Sequence, residues 1–192
     1  MIHSSEMASM NGAVAREENG WLLMDAPAKS DFFQDPLGKL SNDSAPYLYI
    51  LAQGDFSARV RVKPDHGETY NATALMVWAD PTHWAKLCYE KTDFDTRAVV
   101  SVVTNGISDD ANGVDVDVES LWLRVVRKGQ LFGMQYSLDG VTYHMVRIFH
   151  LPAAEEIRVG LVAQSPIGKG CQHAFQDFSL QHVTVTDVRA GI

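Results

Sequence analysis

The sequence predicts an all-β sandwich, and three observations predict it. Short runs of alternating apolar and polar residues recur along the chain, the period of a half-buried strand. Glycine, proline, aspartate and asparagine separate these runs at short intervals. No segment has the length and 3.6-residue period of a long helix. Hydrophobic residues make up 46% of the 192-residue chain, which suits the core of one large β-domain better than two small ones.

Taken in order, residues 1–19 lack periodicity and read as a flexible N-terminal arm, so the domain runs from 20 to 187. Order begins at WLLMDAPA (21–28). PYLYILAQ (46–53) is strand-like and ends at the Gly54-Asp55 turn. FSARVRVK (56–63) alternates strictly: Phe56, Ala58, Val60 and Val62 share one face, and Ser57, Arg59, Arg61 and Lys63 share the other. YNATALMVW (70–78) is apolar enough for a strand covered on both sides. WAKLCYE (84–90) alternates again, with Trp84, Lys86, Cys88 and Glu90 opposite Ala85, Leu87 and Tyr89. AVVSVVT (98–104) is a β-branched strand, 105–117 reads as a polar loop, and 157–164 and 175–185 close the fold.

Residues 121–148 read as a meander of three strands, turned at Lys128-Gly129 and Asp139-Gly140, where glycine accepts a positive φ. Two-residue turns pair Val125 with Phe132, Trp122 with Gln135, and Gln135 with His144. One face then holds Leu121, Leu123, Val125, Phe132, Met134, Tyr136, Tyr143 and Met145, and is fit for a core. The other carries a row of Trp122, Gln135 and His144 with Arg124 beside it. An indole covers the apolar side of a sugar ring, and amide and guanidinium groups bond its hydroxyls. The row therefore reads either as a carbohydrate site or as an ordinary solvated face with Trp122 under a loop.

The net charge is −8 without blocks of like charge, which argues against nucleic-acid and anionic-membrane partners. No apolar run is long enough to span a bilayer, and the N-terminus lacks a secretory pattern. Cys88 and Cys171 fit reduced thiols in a cytoplasmic protein, with a single bridge left open. The histidines have no metal-ligand spacing, Asp93 and Asp95 lack a calcium loop, and SPIGKG (165–170) leads no helix, so no metal and no cofactor is expected.

Several segments carry a family resemblance: APAKSDFF (26–33), GDF (54–56), WAKLCYE (84–90), VVTNGISD (102–109), LRVVR (123–127), YSLDGVTY (136–143) and VGLVAQSPIGKG (159–170). In this order they resemble the YesU-like, regulation-of-enolase-like family of unknown function, in the concanavalin A-like lectin/glucanase superfamily. The resemblance implies a jelly-roll sandwich of two curved antiparallel sheets with its ligand on the concave sheet. It implies that Lys86, Glu90 and Arg124 are polar groups of that cleft, and alternation is expected to place them with Trp122 and Gln135. An internal salt-bridge network is the other use of such a trio. The chain departs from the family pattern at Ala72 and Asp110.

The expected ligand set is thus Lys86, Glu90, Trp122, Arg124, Gln135 and His144, binding a carbohydrate or small polar metabolite without catalysis. One alternative is a glycoside hydrolase using Asp115, Asp117 and Glu119, whose alternate spacing offers the paired carboxyls such chemistry needs. Another is a protein-interaction module that acts on a metabolic enzyme.

Overall fold

The computed structural model describes residues 2–192. After a short 3-10 turn (Ser4–Glu6), its strands are β1 (Ala8–Met10), β2 (Ala15–Glu18), β3 (Trp21–Pro27), β4 (Phe32–Gln34), β5 (Ser41–Asp43), β6 (Tyr47–Gln53), β7 (Phe56–Lys63), β8 (Ala72–Asp80), β9 (His83–Lys91), β10 (Arg97–Asn105), β11 (Ile107–Asp115), β12 (Leu121–Lys128), β13 (Leu131–Ser137), β14 (His144–His150), β15 (Glu156–Gln164) and β16 (Gly170–Gln181). They form two antiparallel seven-stranded sheets, ordered β1-β6-β15-β8-β9-β10-β11 and β14-β13-β12-β7-β16-β3-β2, and a separate β4-β5 hairpin.

Alternation decides which side chains meet between the sheets. Phe56, Ala58, Val60 and Val62 of β7 are fully buried there, as are Leu121, Leu123 and Val125 of β12. They face Leu75, Val77, Leu87 and Val99 of the first sheet. Each such side chain contributes roughly 1.5–3 kcal/mol by leaving water, so this layer dominates stability. Strands β8, β9 and β10 show no wet face because a second apolar cluster covers their other side: Phe32, Ala45, Tyr47, Met76, Trp84 and Val100 are all buried in it.

Three expectations change. Within the arm expected over 1–19, residues 8–10 and 15–18 are built into the two sheets. β1 pairs with β6, β2 pairs with β3, and the Ile2 N–H donates to the Phe178 carbonyl at 2.9 Å. These are short edge strands held by backbone pairing, which needs no apolar alternation, so the pattern could not reveal them. Residues 105–117 are mostly edge strand β11, paired to β10 along its length. The chain also stays ordered past 187: Asp187 and Ile192 close a turn by backbone bonds.

The meander is correct in its strands and altered in its register. Gly129 takes φ +60° and Lys128 pairs with Leu131, so β13 sits two residues from the expected pairing and every face is kept. The next connection is longer than a two-residue turn. Asp139 Oδ1 accepts the N–H groups of Val141 and Thr142 and the Ser137 hydroxyl, so β14 starts only at His144. A bulge between Met134 and Gln135 then sets Tyr136 opposite His144 and Gln135 opposite Met145. Met145 is therefore 41% exposed rather than in the core, and Tyr143 stacks under Arg124 on the outer face.

The C-terminal residues fold back over the outer face of the second sheet. Val185 and Val188 pack on Val126 and Ile148, and Gln135 Nε2 donates to the Val188 carbonyl at 2.9 Å. Gly133 permits this approach, since a Cβ there would lie 2.3 Å from that carbonyl oxygen. Deleting residues 187–192 removes Val188 from above Val126 and strips the buried Gln135 amide of its acceptor, a loss of about 1–3 kcal/mol. A melting curve of the truncated chain checks this; the midpoint is expected to fall by about 5 °C.

Candidate ligand-binding pocket

The outer face of the first sheet is roofed by residues 28–45, a flap centred on the β4-β5 hairpin. Phe32 descends from the flap to meet Tyr47 and Trp84 edge-on, with ring centroids 6.3 and 5.9 Å apart. The middle of the face is thereby filled with the protein's own side chains. At one end a cavity of about 400 Å³ remains. Its polar lining includes Asp31, Lys86, Glu90, Asp110 and Gln164, with Lys29, Asn42 and Tyr70 beside them, and Phe33, Leu40 and Ile167 give it an apolar mouth.

Alternation in β9 sends Lys86 and Glu90 to this side, as expected from the sequence. Lys86 is 2% exposed. Its Nζ donates to Asp31 Oδ1 at 2.9 Å and to Gln164 Oε1 at 2.8 Å. Burial alone would lower its pKa, but the Asp31 carboxylate carries it above the ordinary lysine value. Asp31 Oδ1 also accepts the Phe32 N–H at 2.8 Å, so one ion pair ties the flap to the sheet. A second tie runs from the Gln34 N–H to Ser108 Oγ at 2.9 Å.

Glu90 is the opposite case. It is 7% exposed, and among the described residues no group donates a hydrogen bond to it. Burial pushes its pKa up to about 8; Lys86 opposes this, and Asp110 and Asp31 add to it. The register sets Glu90, Ala72 and Gln164 in one cross-strand row. The small Ala72 therefore places no polar group between the carboxyl and the amide. Asp110 reaches the same cavity from β11, its carboxyl also raised by burial.

The remaining expected site residues do not join this pocket. Trp122, Arg124 and Gln135 lie on the outer face of the second sheet, on the far side of the sandwich, because their strand neighbours Leu123, Val125 and Met134 take the core positions. That face is already occupied. Arg59 stacks over Trp122 at 5.4 Å, and a Cβ on Gly140 would lie 2.7 Å from the indole nitrogen. The Arg124 guanidinium lies 3.8 Å over the Tyr143 ring and donates to Gln135 Oε1 and to the Ala190 carbonyl. His144 leaves the row altogether: the bulge in β13 pairs it with Tyr136, and the two rings lie 5.3 Å apart.

Asp115, Asp117 and Glu119 are all exposed, and each has its own partner. Thr96 donates to Asp115, Arg97 pairs with Asp117, and Lys63 pairs with Glu119. Cys88 and Cys171 are free thiols. Cys171 Sγ lies 3.2 Å from His173 Nε2, a pairing that looks nucleophilic but is not. The Asp65 N–H donates to His173 Nδ1, so the proton sits on Nε2, where it bonds the Gln164 carbonyl. The imidazole cannot accept the thiol proton, and burial holds the Cys171 pKa up at about 11.

Sequence reasoning missed Asp31, Gln164 and Asp110. All three stand in or beside stretches that carry the family resemblance, SDFF, VAQS and ISDD, so the signal was present without a geometry to gather it.

A family model described as "Protein of unknown function (DUF1349)" matches residues 10–183. "Regulation of enolase protein 1" of Saccharomyces cerevisiae is 30% identical over 165 residues, covering 85% of this chain and 83% of the relative. A crystal structure of a functionally unknown protein from Saccharomyces cerevisiae aligns with TM-score 0.87 at 28% identity, over 95% of this chain and 99% of that one. The carbohydrate-binding module CBM66 from Bacillus subtilis aligns with TM-score 0.59 at 14% identity, over 92% and 95% of the two chains, a likeness of fold alone. These neighbours agree with the jelly-roll architecture expected from the sequence. Among the described residues no helix is long and apolar enough to cross a membrane.

Proposed function

The chain belongs to the family described as "Protein of unknown function (DUF1349)", and from that premise we propose that it binds a carbohydrate or small polar metabolite, without catalysis, in the pocket of Lys86 and Glu90. One observation carries the reading: a cavity of about 400 Å³ with an apolar mouth and convergent buried polar groups, the usual make-up of a small-ligand site. Gln164 and Asp110 offer hydrogen-bond acceptors to ligand hydroxyls, and Phe33 and Leu40 offer apolar contact to ring faces. The carbohydrate-binding module among the fold neighbours supports a sugar as the first ligand class to try. The name of the yeast relative supports a regulatory role in sugar metabolism as the outcome of binding.

The test is a thermal-shift screen of sugars and polar metabolites against the wild type, Trp122→Ala, and Leu40→Ala combined with Ile167→Ala. A ligand that raises the melting temperature of the wild type and of Trp122→Ala, but shifts the mouth variant much less, fits the reading. A ligand whose effect vanishes only in Trp122→Ala would move the site to the other sheet and end it.

A further inference from the structure

Glu90 is the group in the pocket whose bonding the fold leaves incomplete. The residue is 7% exposed and its carboxyl lines the cavity, yet among the described residues no donor reaches it. The nearby cation is committed elsewhere: Lys86 Nζ bonds Asp31 and Gln164, and Asp31 neutralises it. The other groups that face Glu90 are acidic or neutral. Asp110 approaches from β11, Asp31 from the flap, Asp93 from the loop after β9, Cys88 from the same strand, and Tyr70 from the segment before β8. Lys29 stands exposed at the mouth. The interior of the pocket therefore holds more carboxyl than free cation.

We propose that the ligand carries a protonated amine, as an amino sugar or another amino polyol does, and that its ammonium group sits against the Glu90 carboxylate with Asp110 beyond it. This rests on the binding reading above. A neutral sugar would meet Glu90 as a carboxylic acid, because a carboxylate buried without a counter-charge is costly. An ammonium supplies both the charge and three donors. On binding, Glu90 gives its proton to solvent, the ligand keeps its own, and a charge-assisted pair forms. Burial holds the empty site protonated near neutral pH, so association releases up to one proton, and affinity rises with pH until the ligand amine itself deprotonates.

Isothermal titration of the full chain at pH 7 tests this, in two buffers of different ionisation enthalpy, with glucosamine against glucose and galactosamine against galactose. N-acetylglucosamine serves as the uncharged control. The amino member of a pair is expected to bind about 10-fold more tightly than its neutral parent, a difference worth about one pKa unit of Glu90, with close to one proton released. In Glu90→Gln the two members are expected to bind alike with no proton release, and the variant's melting curve reports that it is folded. Equal binding of neutral and amino sugars by the wild type, without proton release, overturns the amine and leaves the binding reading standing. No binding by either pair, with no hit in the wider screen, overturns both. Calcium chloride alone raising the melting temperature of the wild type but not of Glu90→Gln would assign the carboxylates to a metal ion and overturn the amine.

Discussion

Replacing Lys86 by alanine is expected to cost about 3–5 kcal/mol of folding stability, the scale for removing one partner of a buried ion pair. The substitution leaves Asp31 with a carboxylate whose side chain is 12% exposed and whose cation is gone. It also strips Gln164 Oε1 of its donor. Because Asp31 sits at the root of the flap, the flap itself should loosen, and Phe32 with it. Denaturant unfolding measures the loss. Lys86→Met combined with Asp31→Asn removes both charges and keeps a side chain able to accept the Phe32 N–H; this pair is expected to recover more than half of it. A single-variant loss below about 1 kcal/mol would show that the pair is solvated and the flap free.

Glu90→Gln is expected to do the reverse and stabilise the empty protein above neutral pH. Burial holds the Glu90 pKa at about 8 in the folded chain, against 4.5 for a free glutamate side chain. The folded state thus keeps a proton that the unfolded state has released anywhere between those values. The stability this proton supplies is full below pH 4.5 and is lost as pH rises through 8. Glutamine has the same shape and no charge to bury, so the variant escapes that loss. At pH 8 it should exceed the wild type by on the order of 3 kcal/mol, less at pH 6, and the gap should nearly close by pH 4.5. Parallel pH profiles for the two proteins would mean that Glu90 is paired or hydrated, and the pocket would lose its defining feature.

Most of the sandwich was legible because burial on one face leaves a period of two. That pattern alone assigns β7, β9 and β12 and sends Lys86 and Glu90 to the same side. What escaped was decided by other forces. Strands β1, β2 and β11 are edges, where backbone pairing matters more than side-chain type. The placement of His144 turned on the carboxylate of Asp139 collecting backbone N–H groups, which lengthened one turn and moved a strand by a residue. The grouping of Lys86 and Glu90 with Trp122, Arg124 and Gln135 failed for a topological reason. Alternation tells which residues share a strand face, but not which outer face of a two-sheet fold is shared by β9 and β12. The flap was invisible as a flap, since SDFF reads as a strand start and only long-range contacts, the bond from Lys86 and the tie to Ser108 among them, give it a role. The two departures from the family pattern, Ala72 and Asp110, fall at the pocket itself, one in its row and one in its wall. This is where a change of ligand between relatives would be written.

Backbone amide shifts followed by NMR, while a bound sugar or amino sugar is titrated in, separate the two outer faces most directly. Changes gathered at residues 31–42, 86–90 and 164–167 are the expected result. Changes gathered instead at Trp122, Arg124 and Gln135, with the flap and β9 silent, would contradict it.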